Sequence, residues 1–194
     1  MTLGQFFFKY RSYTPIPFII PLLLFGRPVL ATLIIGGIFV VIGELIRLWG
    51  VSYAGSETRT TDKVGGTNLV TQGPFAYVRN PLYLGNILMY FGISIMANSL
   101  FPYLQILSIL YFTFQYYFII LEEEQYLREK FKQKYDDYFN SVGRFIPSFT
   151  SYPAEKQSNL KQNIPAAYTS EKRTFQAAFI SVIMIVLIYF LINQ

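Results

Sequence analysis

Long apolar runs alternate with shorter polar ones along the whole chain, and the apolar runs fall at 16–26, 29–49, 82–97, 100–121 and 174–191. A helix needs about 20 apolar residues to cross the hydrocarbon core of a bilayer. The runs 29–49 and 100–121 meet that length, the former interrupted only by Glu44 and Arg47 near its end. The first run is short and contains Pro17 and Pro21, so a crossing there requires tilt or help from flanking residues. Gly26-Arg27-Pro28 breaks the helix after it. Only Asn98-Ser99 separates 82–97 from 100–121, which predicts an antiparallel helical hairpin.

The polar stretches have characters of their own. Phe6 to Tyr13 mixes Lys9 and Arg11 with aromatic residues, the composition of an interfacial anchor. The segment 51–81 is rich in Gly and Thr and carries Arg59, Lys63 and Arg79, so it reads as a loop with short structured pieces. From Glu122 to Tyr138 the preceding span continues as a charged helix with Leu127, Phe131, Tyr135 and Tyr138 at helical spacing, so one face is buried. The segment 148–173, with Pro153 and Pro165, reads as a linker.

Composition settles the class. With 53% hydrophobic and 14% charged residues among 194, the chain is too apolar for a soluble domain of its size. The expectation is an all-α integral membrane helical bundle, a single domain over 1–194 with about five transmembrane helices. Lys and Arg collect at Lys9–Arg11, Arg47–Arg79 and Arg128–Arg173, leaving only Arg27 opposite, which places the N-terminus and the segments 51–81 and 122–147 in the cytosol. The basic residues form no compact patch, so nucleic acid is not implied. The absence of cysteine and histidine removes disulfides, thiolate nucleophiles, imidazole bases and nearly every transition-metal site. No glycine-rich nucleotide-binding motif occurs, so any cofactor site is built by helices.

Four segments carry candidate chemistry. In Gly73-Pro74-Phe75-Ala76-Tyr77-Val78-Arg79-Asn80-Pro81-Leu82-Tyr83, Asn80 before Pro81 is a natural N-cap, and the helix start beside Arg79 suits an anionic group. Phe75, Tyr77 and Tyr83 add flat faces for an adenine or a sulfonium, and the same residues also fit a capped span with an aromatic belt. In Glu122-Glu123-Glu124, Glu123 heads the buried stripe, whereas Glu124 falls over Arg128 as a surface pair; a solvated charge run is the alternative. Arg144, between Gly143 and Phe145-Ile146-Pro147, suits a carboxylate or phosphate, either of an acceptor or of a lipid headgroup. Glu44 and Arg47, three residues apart, read as a local ion pair with the arginine snorkelling outward.

Taken in order, Leu69-Val70, Gly73 to Gly85, Glu123-Glu124, Leu127, Phe131, Tyr135, Tyr138 and Arg144 to Pro147 resemble the isoprenylcysteine carboxyl methyltransferase family and its phospholipid methyltransferase relatives. The resemblance covers roughly 51–147. It implies a cytosolic-side helical pocket for S-adenosylmethionine and a lipophilic acceptor arriving from the membrane lipids. Cofactor contacts would then come from Leu69, Val70, Gly73, Tyr77, Arg79, Asn80, Pro81, Tyr83, Glu123 and Glu124, with Glu123 and Arg144 as catalytic candidates and no metal. Asn80 stands where the family usually has histidine, and an amide cannot ionise. An NADPH-dependent membrane sterol or steroid reductase and a non-enzymatic lipid-binding protein are the competing readings.

Overall fold

The computed structural model describes residues 1–55 and 68–192, and all regular structure among them is helical. Arg59 and Lys63 lie outside the described residues. Thr2 and Gln5 form a reciprocal capping box that starts α1, Leu3–Tyr10. This helix does more than anchor at an interface. Gly4 sits against the backbone of Phe118, and Phe7 and Phe8 are buried in a cluster with Phe112, Tyr116, Ile119 and Ile120.

α2, Ile16–Leu24, has only nine residues, a rise of about 14 Å and far short of a bilayer core. Pro21 lies inside it, and it stops where the Arg27 backbone N–H turns to the carbonyl of Ala97 at 2.9 Å. The expected span over 16–26 is therefore a short helix packed against its neighbours. α3, Leu30–Ala54, α4, Pro81–Ala97, and α5, Tyr103–Phe131, follow, then α6, Gln133–Ser141, and α7, Ile164–Ile192. α3, α5 and α7 are long and apolar enough to cross a membrane, and α4 is apolar but has 17 residues. Exposed Ile34, Ile38 and Val41 on α3 and Phe179, Ile183 and Leu187 on α7 give the bundle an apolar outer surface, as a lipid-facing wall requires.

Glycine sets the closest helix pair. A Cβ on Gly43 would lie 2.6 Å from the Gly85 carbonyl oxygen, and Gly36 meets Gly92 in the same way, so α3 and α4 touch backbone to backbone.

The two ends of the bundle are closed differently. At one end the expected hairpin is present, but its connection runs over 98–102 rather than Asn98-Ser99 alone, because α5 starts only at Tyr103. Asn98, left-handed at φ 47°, donates its side-chain amide to the Arg27 carbonyl at 2.9 Å, and Ser99 donates to the Pro21 carbonyl at 2.6 Å. At the other end α5 runs on past the membrane-length run and hands over to α6 at Lys132. The stretch expected as a linker becomes a strap. The backbone N–H groups of Ser148 and Tyr152 donate to Tyr77 and Ala76, and that of Asn163 to Ser52, each at 2.8 Å. α7 begins at Ile164, ten residues before the apolar run, because the Asn163 side chain accepts from the Ala166 N–H at 3.0 Å and Pro165 suits a first turn.

Candidate functional site

At the basic end, α1, α3, α4, α5, α6 and α7 surround a cavity of about 750 Å³. Leu69, Val70, Arg79, Asn80, Tyr83, Glu123 and Glu124 all line it, so the stretch 69–83 and the distant pair 123–124 meet on one space.

The first segment opens with a tight helical turn, Gly73–Ala76. Gly73 has φ +58°, and a Cβ there would run into the Tyr53 ring, so only glycine fits the turn. The turn leads into Arg79, which fastens the neighbouring loop. Its backbone N–H donates to Gly143 at 2.8 Å, and its guanidinium reaches the Phe139 carbonyl, the Val142 carbonyl at 2.7 Å and Glu124 Oε1 at 3.0 Å. Its Nε finds no hydrogen-bond partner among the described residues, although it is buried beside the cavity. Asn80 precedes α4 as expected but does not cap it with its side chain; its amide donates instead to the Arg144 carbonyl at 3.1 Å.

Glu124 is the node of this end. Arg144 grips it with both arms, Nε to Oε1 at 3.0 Å and Nη2 to Oε2 at 2.6 Å, while Arg79 holds Oε1 from the other side. The hydrogen bonds from Glu124 raise the Arg144 pKa, which secures its charge. The expected Glu124–Arg128 pair is replaced, because Arg128 donates to Asp136 at 2.8 Å on the surface. Helical phase alone put Glu123 innermost. Glu124 instead continues the buried series Tyr116 and Ile120 at steps of four and is then held by two arginines, so it is buried at 7% exposure while Glu123 is half-buried.

Glu123 has a different partner. The Tyr83 hydroxyl donates to its Oε1 at 2.6 Å, and the Tyr83 ring stacks on Tyr116 with centroids 4.7 Å apart. Nearby, burial foremost and then the charge of Glu124 raise the Tyr135 pKa, and burial foremost raises that of Tyr138. Both phenols therefore stay neutral, and Tyr138 donates to the Phe75 carbonyl at 2.7 Å.

Four expected site residues stand off the cavity wall. Gly73 shapes the turn, Pro81 is buried at the start of α4, and Tyr77 lies on the outer side with its ring 6.3 Å from that of Trp49. Arg144 acts through Glu124, since the carboxylate it was expected to grip is supplied by the chain itself.

Sequence reasoning missed the opposite wall. Arg47 does not settle on Glu44 as a local pair. Its Nε and Nη2 donate to Glu171 of α7 at 3.1 and 2.6 Å, and its Nη1 to Asn86 Oδ1 at 2.7 Å. Asn86 in turn donates to the Tyr116 hydroxyl at 2.9 Å. The available signal was the polar residues themselves: Asn86 and Tyr116 sit inside runs read as uniformly apolar, where each polar group needs a partner or a purpose.

A family profile described as "Phospholipid methyltransferase" matches residues 31–134, over half of the chain. The chain is 30% identical over 149 residues to the cobalt-zinc-cadmium resistance protein CzcN of Cupriavidus metallidurans, covering 72% of this chain and 63% of that one. It is 29% identical over 125 residues to the nickel-cobalt-cadmium resistance protein NccN of Alcaligenes xylosoxydans xylosoxydans, covering 64% of this chain and 54% of that one. The chain thus spans less than two thirds of either relative's length. No solved structure matches it.

Proposed function

The chain belongs to the phospholipid methyltransferase family, and on that premise we propose that it is a membrane methyltransferase using S-adenosylmethionine on a lipophilic acceptor. The convergence of Leu69–Val70, Arg79–Tyr83 and Glu123–Glu124 on one cavity carries this reading. At about 750 Å³ the cavity falls within the range of roughly 300–1,000 Å³ usual for cofactor sites. Its chemistry fits the cofactor on both charges. Arg79 offers a buried Nε–H without a partner among the described residues, and Arg11 and Arg173 line the same cavity, which suits a carboxylate. Glu123 and the faces of Tyr83 and Tyr126 suit an ammonium, a sulfonium and an adenine.

When bound, the cofactor supplies a methyl group on a positively charged sulfur, already activated for displacement. The residues of the chain then align and dry the site. Tyr83 fixes the rotamer of Glu123, and Arg79 and Arg144 fix Glu124 and with it the loop 139–144. An amine acceptor would hand its proton to Glu123, and a carboxylate acceptor would need no base. The basic end faces the cytosol in this reading.

The two relatives are named for metal resistance. A chain without histidine or cysteine offers little of the ligand chemistry that such metals favour, so the names do not redirect the proposal. Thermal unfolding of the purified protein in detergent tests it. S-adenosylmethionine at 100 times its Kd is expected to stabilise the fold by about 2.7 kcal/mol. Stabilisation by NADPH alone would overturn the assignment in favour of a reductase.

A further inference from the structure

A second cavity, of about 280 Å³, lies between α2, α4, α5 and α7. Its lining is mostly apolar, with Leu22, Ile93, Phe112 and Ala178 among its walls. Ser12, Asn86, Tyr90, Thr174 and Ala177 line both cavities, so the two spaces adjoin. The α2 and α7 walls lie outside the matched residues 31–134.

A relay of hydrogen bonds ends at that junction. Glu171, fully buried, holds Arg47; Arg47 donates to Asn86, and Asn86 donates to Tyr116. Tyr90 lines the same junction as Asn86. The phenol O–H of Tyr90 and the side-chain amide of Asn86 are therefore both polar groups at the junction, and each can donate. A polar donor at the mouth of an apolar cavity selects an amphiphile with its chain inside and a hydrogen-bond-accepting head at the mouth.

We propose that this cavity is the chain pocket of the acceptor, that it takes one apolar chain rather than the two of a diacyl lipid, and that the acceptor's oxygen head rests at the junction on Asn86 and Tyr90. The size limit follows from the volume, which lies just under the roughly 300 Å³ at which pockets begin to enclose a whole drug-sized ligand. Glu171 is then a positioning residue, acting on the head through Arg47 and Asn86. The identification as an acceptor pocket rests on the methyl-transfer reading; the pocket's preference for a single chain does not.

The test uses the full chain in diacyl phosphatidylcholine vesicles with a single-chain fatty acid carrying a diazirine near its methyl end. Photoadducts are expected on the facing walls of α2 and α7, competed by unlabelled fatty acid despite the excess of diacyl lipid. Ala178→Phe and, independently, Ser181→Phe fill the cavity and should reduce those adducts at least fivefold, while stabilisation by S-adenosylmethionine is unchanged. Glu171→Gln should lower probe affinity about tenfold without moving the adducts, and Glu171→Asp should recover part of it. Adducts confined to outer residues such as Ile34 and Leu187, equal in all variants, would overturn the pocket. Equal affinity in Glu171→Gln would overturn the relay. Pocket adducts in a protein that S-adenosylmethionine does not stabilise would support the pocket and overturn the methyl-transfer reading.

Discussion

Two buried carboxylates, each held by an arginine that lines the same cavity, play different parts. Glu124 is gripped by two guanidiniums that also fasten the backbone of 139–144, so its network closes a loop. Glu171 holds the guanidinium of Arg47, which passes the connection on to Asn86 and Tyr116, so this network points into the bundle. The same chemistry acts as a clasp in one place and as a relay in the other. What differs is where the arginine's remaining donors go: to main-chain carbonyls at the clasp, and chiefly to a side chain that itself has a partner at the relay.

Removing the clasp should have the largest effect. Glu124→Ala leaves Arg79 and Arg144 without their shared anion, a loss of about 3–5 kcal/mol measured by thermal unfolding in detergent, with cofactor binding lost in parallel. The relay should separate stability from function. Arg47→Met combined with Glu171→Leu replaces a buried pair by apolar groups of similar size, so stability should change by less than about 1 kcal/mol or rise, while methyl transfer to the acceptor falls about tenfold or more. The smallest effect should come from Arg128→Ala, whose pair with Asp136 is about half exposed on the arginine side, at 51%. Less than about 1 kcal/mol and unchanged turnover are expected, and a larger loss would show that the surface pair belongs to the clasp.

The sequence made some of this plain and hid the rest for physical reasons. The α4–α5 hairpin followed from the short uncharged break at Asn98-Ser99, although the connection itself takes in 98–102. Leu69, Arg79, Tyr83, Glu123 and Glu124 were legible as a set only through the family resemblance, and they do meet on one cavity. Arg47 misled because Glu44 offered a partner one turn away, whereas Glu171 lies 124 residues along the chain. Glu123 was read as innermost from the stripe that follows it, whereas the buried series that precedes it, Tyr116 and Ile120, sets the phase that turns Glu124 inward toward Arg79 and Arg144. The early start of α7 was masked by Lys, Glu and Arg, which are good helix formers but break an apolar pattern.

The pairing of Arg47 with Glu171 also has a consequence for how the protein is made. α3 leaves the ribosome with Arg47 in it, and its carboxylate follows only 124 residues later. At about 5–20 residues per second that interval is roughly 6–25 s, during which Arg47 must stay hydrated at the membrane surface. The wall of the cavity formed by α7 is therefore the last part of the site to be assembled, and a nascent chain cut short before Glu171 would insert its first helices without completing the relay.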